Sequence, residues 1–226
     1  MEESELLKRR LEKIESLKND GIALYPNTFR YKDTAAALLV RFDNKDNDVL
    51  SEVTETFTIA GRLMAVRDFG KAAFIKVQDR TGALQGYVNH VILGDDDFGL
   101  YRRLDVGDIV AMTGRIFRTR TEELTIEVSE LLLLSKAIRP LPEKWHGLTD
   151  VETRYRQRHL DLITNAKSRE VFLRRSRIIQ FIRHFMEKRD FMEVETPMMQ
   201  PKAGGAMAKP FKTYHNALGM DFYLRI

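Results

Sequence analysis

The chain of 226 residues is long enough for one large domain or two small ones. Its 37 Lys and Arg residues nearly balance 33 Asp and Glu residues, so the net charge of +4 identifies no partner by itself, although a pI of 9.2 leans weakly towards nucleic acid. Cysteine is absent, which excludes disulfides, thiolate nucleophiles and cysteine-bound zinc. The charged N-terminus and the lack of a long apolar run indicate neither a signal peptide nor a membrane span, so we expect a cytoplasmic protein.

The first stretch of the chain predicts a single helix over residues 3–19. Its apolar residues recur as one helical stripe, and Asn-Asp-Gly at 19–21 ends the pattern. The stripe consists of Leu7, Leu11, Ile14 and Leu17. The basic run Lys8-Arg9-Arg10 has two interpretations: a contact to a nucleic-acid backbone or, as is usual for such runs, the solvated face of a packing helix.

Residues 56–134 change to a period of two, which predicts β-structure. Strands are expected at 56–67, 71–79, 82–90, 107–118 and 122–134, with a short helix near 98–104. Five antiparallel strands with an insertion between the third and the fourth favour the five-stranded Greek-key barrel known as the OB-fold. A generic five-stranded barrel or sandwich fits the periodicity almost as well.

Prolines and a glycine mark a linker after this region. Pro140, Pro142 and Gly147 interrupt any regular pattern, because proline fixes its own backbone angle and disfavours helix in the residue before it. The chain therefore divides into four segments. These are an N-terminal helix with a lead-in (1–55), the barrel (56–135), the linker (136–150) and the beginning of a second domain (151–226).

The last stretch predicts helices followed by strands. Residues 151–189 have a helical period, with an apolar stripe made of Phe172, Ile178, Ile179, Ile182, Phe185 and Met186. Residues 191–196 alternate as a strand that Pro197 ends, and further strands are expected at 211–215 and 222–226. The sequence stops within the last of these strands without a turn or a polar tail, which favours a fragment of a longer protein.

One face of the predicted barrel has the composition of a single-stranded nucleic-acid site. Phe74 and Lys76 lie on the strand face opposite the apolar Ile75, and Gln85 and Tyr87 extend that face if the second and third strands pair. Aromatic rings stack on bases with roughly 1–3 kcal/mol per base, while amides and cations bind base edges and phosphates. The alternative is that Phe74 covers an adjacent loop and that Gln85 is ordinary surface.

The second domain carries no recognisable chemical motif in its residue types alone. The five histidines of the chain show no metal-ligand spacing, Glu193 and Glu195 share a strand face as a structural pair would, and Gly204-Gly205 is too short for a phosphate loop. From the residues alone, the chain is a nucleic-acid-binding barrel joined to part of an α/β domain of unknown activity.

Three segments resemble class II lysyl-tRNA synthetases of bacterial type. They are RPLPEKWHGLTDVETRYRQRHLDLI (139–163), FMEVETPMM (191–199) and GGAMAKPFKTYHNALGMDFYLRI (204–226). The related aspartyl and asparaginyl enzymes share the barrel but not the GGA-x-A-x-PF-x-T-x-HN run, and a lysine ligase paralogue that modifies an elongation factor is expected to lack the barrel. The resemblance implies an OB-fold barrel with an N-terminal helix, followed by the start of an α+β catalytic domain with helices on an antiparallel sheet.

The resemblance further implies that the barrel binds a uridine-rich anticodon. Phe74 matches the aromatic residue on which the central base stacks, and Gln85 matches the amide that reads the edge of that base. Arg67 matches a basic side chain that holds the same base, and Glu123 matches a carboxylate that accepts a hydrogen bond from a base. For Arg67 the strand phase depends on whether Gly61 forms a bulge.

Residues 168–199 match motif 1 of the class II synthetases, which forms a homodimer interface and contains a proline, here Pro197. Asp190 stands where relatives usually have glycine, and Asp tolerates the left-handed backbone of a helix end better than most residues. Gly204 matches the glycine whose backbone lies against the lysine substrate. Gly205 is the alternative by one register, and a mobile surface loop is the other interpretation of the pair.

The resemblance also implies which groups lie outside this sequence. The complete enzyme uses ATP and Mg²⁺, and the arginines and carboxylates of motifs 2 and 3 that bind them are expected beyond Ile226, as are the acidic residues that bind the lysine ammonium. We therefore expect no catalytic and no metal-binding residue in these 226 residues and no activity from them alone.

The function implied is ATP-dependent activation of lysine and its transfer to tRNA(Lys) by a homodimeric ligase that does not contact membranes. This chain would supply anticodon recognition and the motif 1 dimer element. The alternative is a non-catalytic OB-fold nucleic-acid-binding module with a dimerisation element.

Overall fold

A computed structural model of the chain describes residues 3–142 and 148–225. Residues 143–147 of the expected linker and Ile226 of the last expected strand lie outside the described residues. The chain divides into two compact units, Met1–Arg154 and Tyr155–Ile226. Among the described residues, no helix is long and apolar enough to cross a membrane.

The first unit is a barrel preceded by three helices. Its elements are α1 (Glu3–Asn19), α2 (Ala35–Phe42), α3 (Asn47–Ser51), β1 (Phe57–Asp68), β2 (Ala72–Gln78), β3 (Ala83–Asn89), α4 (His90–Arg103), β4 (Ile109–Arg118) and β5 (Leu124–Ser135). The chain then continues through α5 (Val151–Arg156), α6 (Arg158–Thr164), α7 (Ala166–Glu187), β6 (Met199–Gln200), β7 (Lys212–His215) and β8 (Met220–Leu224).

The predicted five-stranded barrel is confirmed, and the sandwich alternative is wrong because the sheet closes. The strand order is β1-β2-β3-β5-β4, and β4 pairs again with β1. The expectation that all strands are antiparallel is wrong for one pair, since β3 and β5 run parallel from Gln85 and Thr125 onwards. An odd number of strands cannot alternate in direction around a closed ring, so a five-stranded barrel needs one parallel pair. The helix α4, predicted as a short helix near 98–104, connects β3 to β4.

Strand alternation fills the barrel interior as predicted. On β2, Ala73, Ile75 and Val77 are at most 1% exposed. Full burial of an isoleucine or valine side chain contributes about 1.5–3 kcal/mol, so the barrel interior is the main source of stability. Ile14 and Leu17 of α1 join the same core, whereas Leu11 of the predicted stripe remains 45% exposed.

The basic run on α1 divides between solvent and structure. Lys8 and Arg9 are exposed, as the solvated-face interpretation predicts, and Arg9 pairs with Glu5 at 2.8 Å. Neither interpretation describes Arg10, which is only 8% exposed. Its guanidinium donates hydrogen bonds to the carbonyls of Val106, Ala137 and Arg139 at 2.9–3.1 Å. Arg10 therefore fixes α1 to the end of the barrel, and sequence reasoning missed this role.

Two short helices, α2 and α3, were not predicted within the lead-in. The first N–H groups of α2 are capped from a distance, because Asp79 Oδ2 accepts a hydrogen bond from Ala35 N at 2.7 Å. The helix buries Phe42 completely, and the Phe42 ring meets that of Phe57 edge-on at 5.3 Å. An apolar run this short has no readable period, and a cap supplied 44 residues away is visible only in the folded chain.

Close strand packing explains two glycines of the barrel. A Cβ atom on Gly61 would lie 2.4 Å from the carbonyl oxygen of Gln78, and one on Gly114 would lie 1.8 Å from the carbonyl oxygen of Glu127. Any larger residue would therefore force the strands apart. The register shift of β1 lies between Leu63 and Ala65, beyond Gly61.

The second unit contains a three-stranded antiparallel sheet, in the order β6-β8-β7, and the long helix α7. The strand predicted at 211–215 is confirmed as β7, and the last predicted strand begins earlier, at Met220. The strand predicted at 191–196 is wrong, since these residues have no regular structure. Met192 and Val194 are 86% and 69% exposed, so no facing layer among the described residues stabilises an extended segment there.

Candidate nucleic-acid interface

Strand register brings the predicted site residues onto one outward face of the barrel. Arg67 of β1 lies opposite Phe74 of β2, and Phe74 lies opposite Tyr87 of β3. Lys76 lies opposite Gln85 in the next outward row. Directly opposed residues of paired strands point to the same face, so these side chains form one continuous surface. Arg67 reaches this face because the bulge of β1 at Leu63–Ala65 precedes it and shifts the inward-outward alternation by one residue.

The surface contains a concavity of about 160 Å³. Its walls are formed by Ala65, Arg67, Phe74, Ile75, Lys76, Gln85 and Glu123. All four residues predicted for anticodon binding line it, although they come from three strands and from the residue before β5. Lys76, which sequence reasoning placed on this face without a role, lines it too.

Phe74 belongs to a row of aromatic rings along this face. Its centroid lies 5.1 Å from that of Tyr87 and 6.3 Å from that of Phe69, and Tyr87 lies 6.1 Å from Phe117. Phe74 is half-buried by these neighbours. The ring therefore contacts the Phe69 turn, as the loop-covering interpretation predicts, and it also lines the concavity. Phe69 was missed because it lies in a turn, and Phe117 was missed because only the folded barrel brings it beside Tyr87.

The polar wall of the concavity joins an amide to a carboxylate. Gln85 Nε2 donates a hydrogen bond to Glu123 Oε2 at 2.8 Å. Arg67 and Lys76 also line the concavity, and within residues 3–142 and 148–225 their side chains have no hydrogen-bond or ion-pair partner. Two unpaired cations beside an amide, a carboxylate and a ring are groups that can bind a phosphate, a base edge and a base face.

The turn between β1 and β2, beside Phe74, is fixed by α4. Asp68 accepts hydrogen bonds from Gly70 N and from the Tyr101 hydroxyl, both at 2.7 Å. The bond from Gly70, followed by the bond from Tyr101, holds the pKa of Asp68 below its usual range. Burial, followed by the bond to Asp68, raises the pKa of Tyr101. This turn therefore presents Phe69 and Phe74 from a preorganised backbone.

The second unit presents its predicted site residues on open surface. A Cβ atom on Gly204 would meet no atom within 4 Å, whereas Gly205 has a φ of +116°. Backbone geometry therefore requires glycine at 205 and leaves 204 without a steric reason for glycine among the described residues. Pro197 is exposed and follows the irregular segment 191–196.

The end of α7 explains how Asp190 takes the place of a glycine. Its φ is +61°, Asp190 N donates to the carbonyl of Glu187, and Phe191 N donates to the carbonyl of Met186. These two bonds form a Schellman motif, whose left-handed position glycine usually fills. The sequence-based expectation of a left-handed Asp at this helix end is confirmed.

Two family models match the chain. Residues 57–134 match the OB-fold nucleic acid binding domain, and residues 150–226 match the class II tRNA synthetases (D, K and N). The first match covers the barrel and its concavity, and the second covers α5 to β8.

Curated relatives align with almost all of this chain, but this chain aligns with less than half of each relative. A lysine–tRNA ligase of Carboxydothermus hydrogenoformans is 50% identical over 99% of this chain and 44% of the relative, and one of Moorella thermoacetica is 48% identical over the same shares. A lysine–tRNA ligase of Xylella fastidiosa is 48% identical over all of this chain and 45% of the relative. The chain thus spans less than half the length of these relatives. The resemblance to the N-terminal part of a class II lysyl-tRNA synthetase is confirmed.

Proposed function

We propose that this chain, similar over its whole length to lysine–tRNA ligases, supplies the anticodon-binding barrel and the opening of the catalytic part of such a ligase. The single observation that carries the proposal is the concavity that Arg67, Phe74, Gln85 and Glu123 line together. These residues are far apart in sequence, the resemblance connects all four with anticodon bases, and they line one surface that has the chemistry to bind a base.

In this proposal each wall of the concavity has its own task. The Phe74 ring offers a stacking face to a base, and Gln85 and Glu123 offer a donor and an acceptor to its edge. Arg67 and Lys76 supply positive charge for the neighbouring phosphates. Stacking gives affinity with little sequence preference, whereas the amide and the carboxylate select the base.

The complete ligase would activate lysine with ATP in the presence of Mg²⁺ and transfer it to the terminal ribose of tRNA(Lys). Among residues 3–142 and 148–225, no group of three or more His, Asp or Glu side chains is arranged to hold a metal ion. In the second unit, Gly204 is the residue proposed to lie against lysine, with Gly205 one register away. A cytoplasmic location belongs to the same proposal.

The apolar surface of the second unit supports a homodimer. Ile178, Phe181 and Ile182 of α7 are 60%, 69% and 54% exposed, and Phe191 after the helix is 60% exposed. Contiguous apolar surface of this kind is usual at interfaces between protein chains. We propose that α7 and the segment up to Pro197 form a two-fold interface in the complete ligase. Sedimentation of the full-length protein should show a dimer, and a monomer at micromolar concentration would contradict the proposal.

The anticodon assignment is tested by binding of an anticodon stem-loop with a central uridine at fixed ionic strength. Phe74→Ala should weaken binding by roughly 1–3 kcal/mol. Gln85→Ala should reduce discrimination at the central base more than it reduces affinity. Tyr31→Ala is a matched control, because Tyr31 is a 54% exposed aromatic residue that does not line the concavity. Equal binding by the wild type and both site variants would remove the assignment.

A further inference from the structure

A buried hydroxyl holds the amide of Gln85 from behind. Thr125 Oγ1 lies 2.8 Å from Gln85 Oε1, and Gln85 Nε2 lies 2.8 Å from Glu123 Oε2. Thr125 is 0% exposed, so no solvent competes for its hydroxyl. Gln85 and Thr125 are direct partners in the parallel pairing of β3 and β5, which sets the two side chains beside each other. Both polar atoms of the amide, the oxygen and the nitrogen, are therefore hydrogen-bonded within the protein.

The carboxylate of Glu123 sets the orientation of the amide. An ionised carboxylate is an acceptor only, so Glu123 must face the NH₂ group of Gln85. The oxygen of the amide then faces Thr125, whose hydroxyl donates to it. The alternative acceptor of this hydroxyl is the backbone carbonyl of Glu123 at 3.0 Å. A reversed amide would place its oxygen against the carboxylate and would lose the charge-assisted bond to Glu123.

The hydroxyl is not required by the strand. A β-branched residue suits this buried position of β5, and valine has the same shape as threonine without a polar atom. Burying a hydroxyl costs free energy unless it is hydrogen-bonded, and here Gln85 supplies an acceptor from the wall of the concavity. Both acceptors within reach of the hydroxyl, Gln85 Oε1 and the backbone carbonyl of Glu123, belong to residues that line the concavity.

We propose that Thr125 is a positioning residue that sets the base selectivity of the concavity, an inference that rests on the proposed anticodon function. With the amide held, the wall presents a donor from Gln85 beside an acceptor from Glu123. Uracil has the complementary edge, a carbonyl acceptor next to the N3–H donor. Cytosine has an amino donor next to the N3 acceptor, so it sets donor against donor and acceptor against acceptor. Thr125 acts through Gln85 and does not itself line the concavity.

The experiment measures dissociation constants for four anticodon stem-loops that differ only in the central base. The wild type should prefer uridine over cytidine. Thr125→Val should lower that preference by about five- to tenfold, within the range that one good bidentate base contact supplies. Thr125→Ser keeps the hydroxyl and should restore the preference. Thr113→Val is the matched control, because it removes a strand hydroxyl that pairs with Thr58 and not with Gln85.

The outcomes separate this inference from the anticodon assignment. If the wild type prefers uridine and Thr125→Val prefers it equally, Thr125 does not position the amide and the inference is wrong. It is also wrong if Thr125→Ser fails to restore the preference, since packing would then explain the loss. If the wild type binds the four stem-loops equally and Phe74→Ala changes nothing, the anticodon assignment itself fails. If Thr125→Val does not fold, judged by its circular dichroism, Thr125→Ala replaces it in the same comparison.

Discussion

Removing the ammonium group of Lys136 should be among the most damaging single changes in the barrel. Lys136 follows β5 and its side chain is 0% exposed. Its Nζ donates to Asp105 Oδ2 at 2.5 Å, to Asp108 Oδ2 at 2.7 Å and to the carbonyl of Arg103 at 3.1 Å. All three ammonium protons therefore have an acceptor, and Asp108 is itself 0% exposed.

The magnitude follows from the charge that Lys136→Met leaves behind. Methionine keeps the apolar length of the side chain, so the main change is that a buried carboxylate loses its cation. Breaking a buried ion pair by removing one partner costs about 3–5 kcal/mol. Asp108 retains hydrogen bonds from the backbone N–H groups of Asp105 and Ala137, which favours the lower end of that range.

Equilibrium unfolding in urea measures this cost, with Lys13→Met as the control. Lys13 pairs with the same Asp105 at 2.7 Å but is 34% exposed, and a solvated ion pair contributes only about 0–1 kcal/mol. With slopes of about 1–3 kcal/mol per molar urea, Lys136→Met should lower the midpoint by about 1 M or more. Equal losses in the two variants would refute the reasoning.

The pH dependence of the loss distinguishes charge from packing. Burial would raise the pKa of Asp105, but its bonds to Lys13 and Lys136 outweigh burial and hold the pKa below the usual value of 3.8. In the wild type this stabilisation is present above that pH and is lost as the pH falls through the folded-state pKa. In Lys136→Met the carboxylate of Asp105 loses one of the two cations that lower its pKa, so the difference in stability between variant and wild type should shrink as the pH falls through the folded-state pKa of Asp105. A difference independent of pH would identify a packing defect.

Three other measurements test separate parts of the chain. Burial would raise the pKa of Asp79, but hydrogen bonds from Ala35, Thr81 and Gly82 together hold it below 3.8. Asp79→Asn should therefore cost about 1–3 kcal/mol of stability at neutral pH. Measured by calorimetry, the Asp79→Asn variant should lose less stability between pH 6 and pH 3 than the wild type loses. Asp190→Gly should relieve the left-handed backbone at +61° and slow amide exchange in the last turn of α7, by about 0.5–1 kcal/mol. Glu187→Gly, at the last residue of the helix, should accelerate that exchange. A polypeptide of residues 1–226 should bind the stem-loop but should not exchange labelled pyrophosphate into ATP; lysine-dependent exchange would mean that catalytic groups lie within it.

The proposed base-binding residues show which features of the site the alternation of residues along a strand can predict. Alternation along β2 and β3 placed Phe74 and Gln85 on the outward face, because a strand turns each successive side chain to the opposite face. Arg67 was uncertain from sequence, since a bulge shifts this period and only the pairing of β1 locates it. The resemblance connected these residues with one base, and the register shows that they meet.

The sequence by itself determined the elements whose signals are local. The helix α1 and the five barrel strands follow from the period of apolar residues, which depends on neighbours in the chain. The left-handed residue at Asp190 was expected from the resemblance, and the backbone tolerance of Asp agrees with it. Residues 191–196 mark the limit of such signals, since they alternate as a strand would but have no partner strand among the described residues.

Only the tertiary structure decided which distant groups satisfy one another. Asp79 caps α2, Arg10 binds the carbonyl of Ala137, and Thr125 holds the amide of Gln85. Each of these bonds joins residues that are at least 40 positions apart in the chain. A buried polar group requires a partner but does not specify which residue supplies it, so closure of the barrel, and not the local sequence, makes that choice.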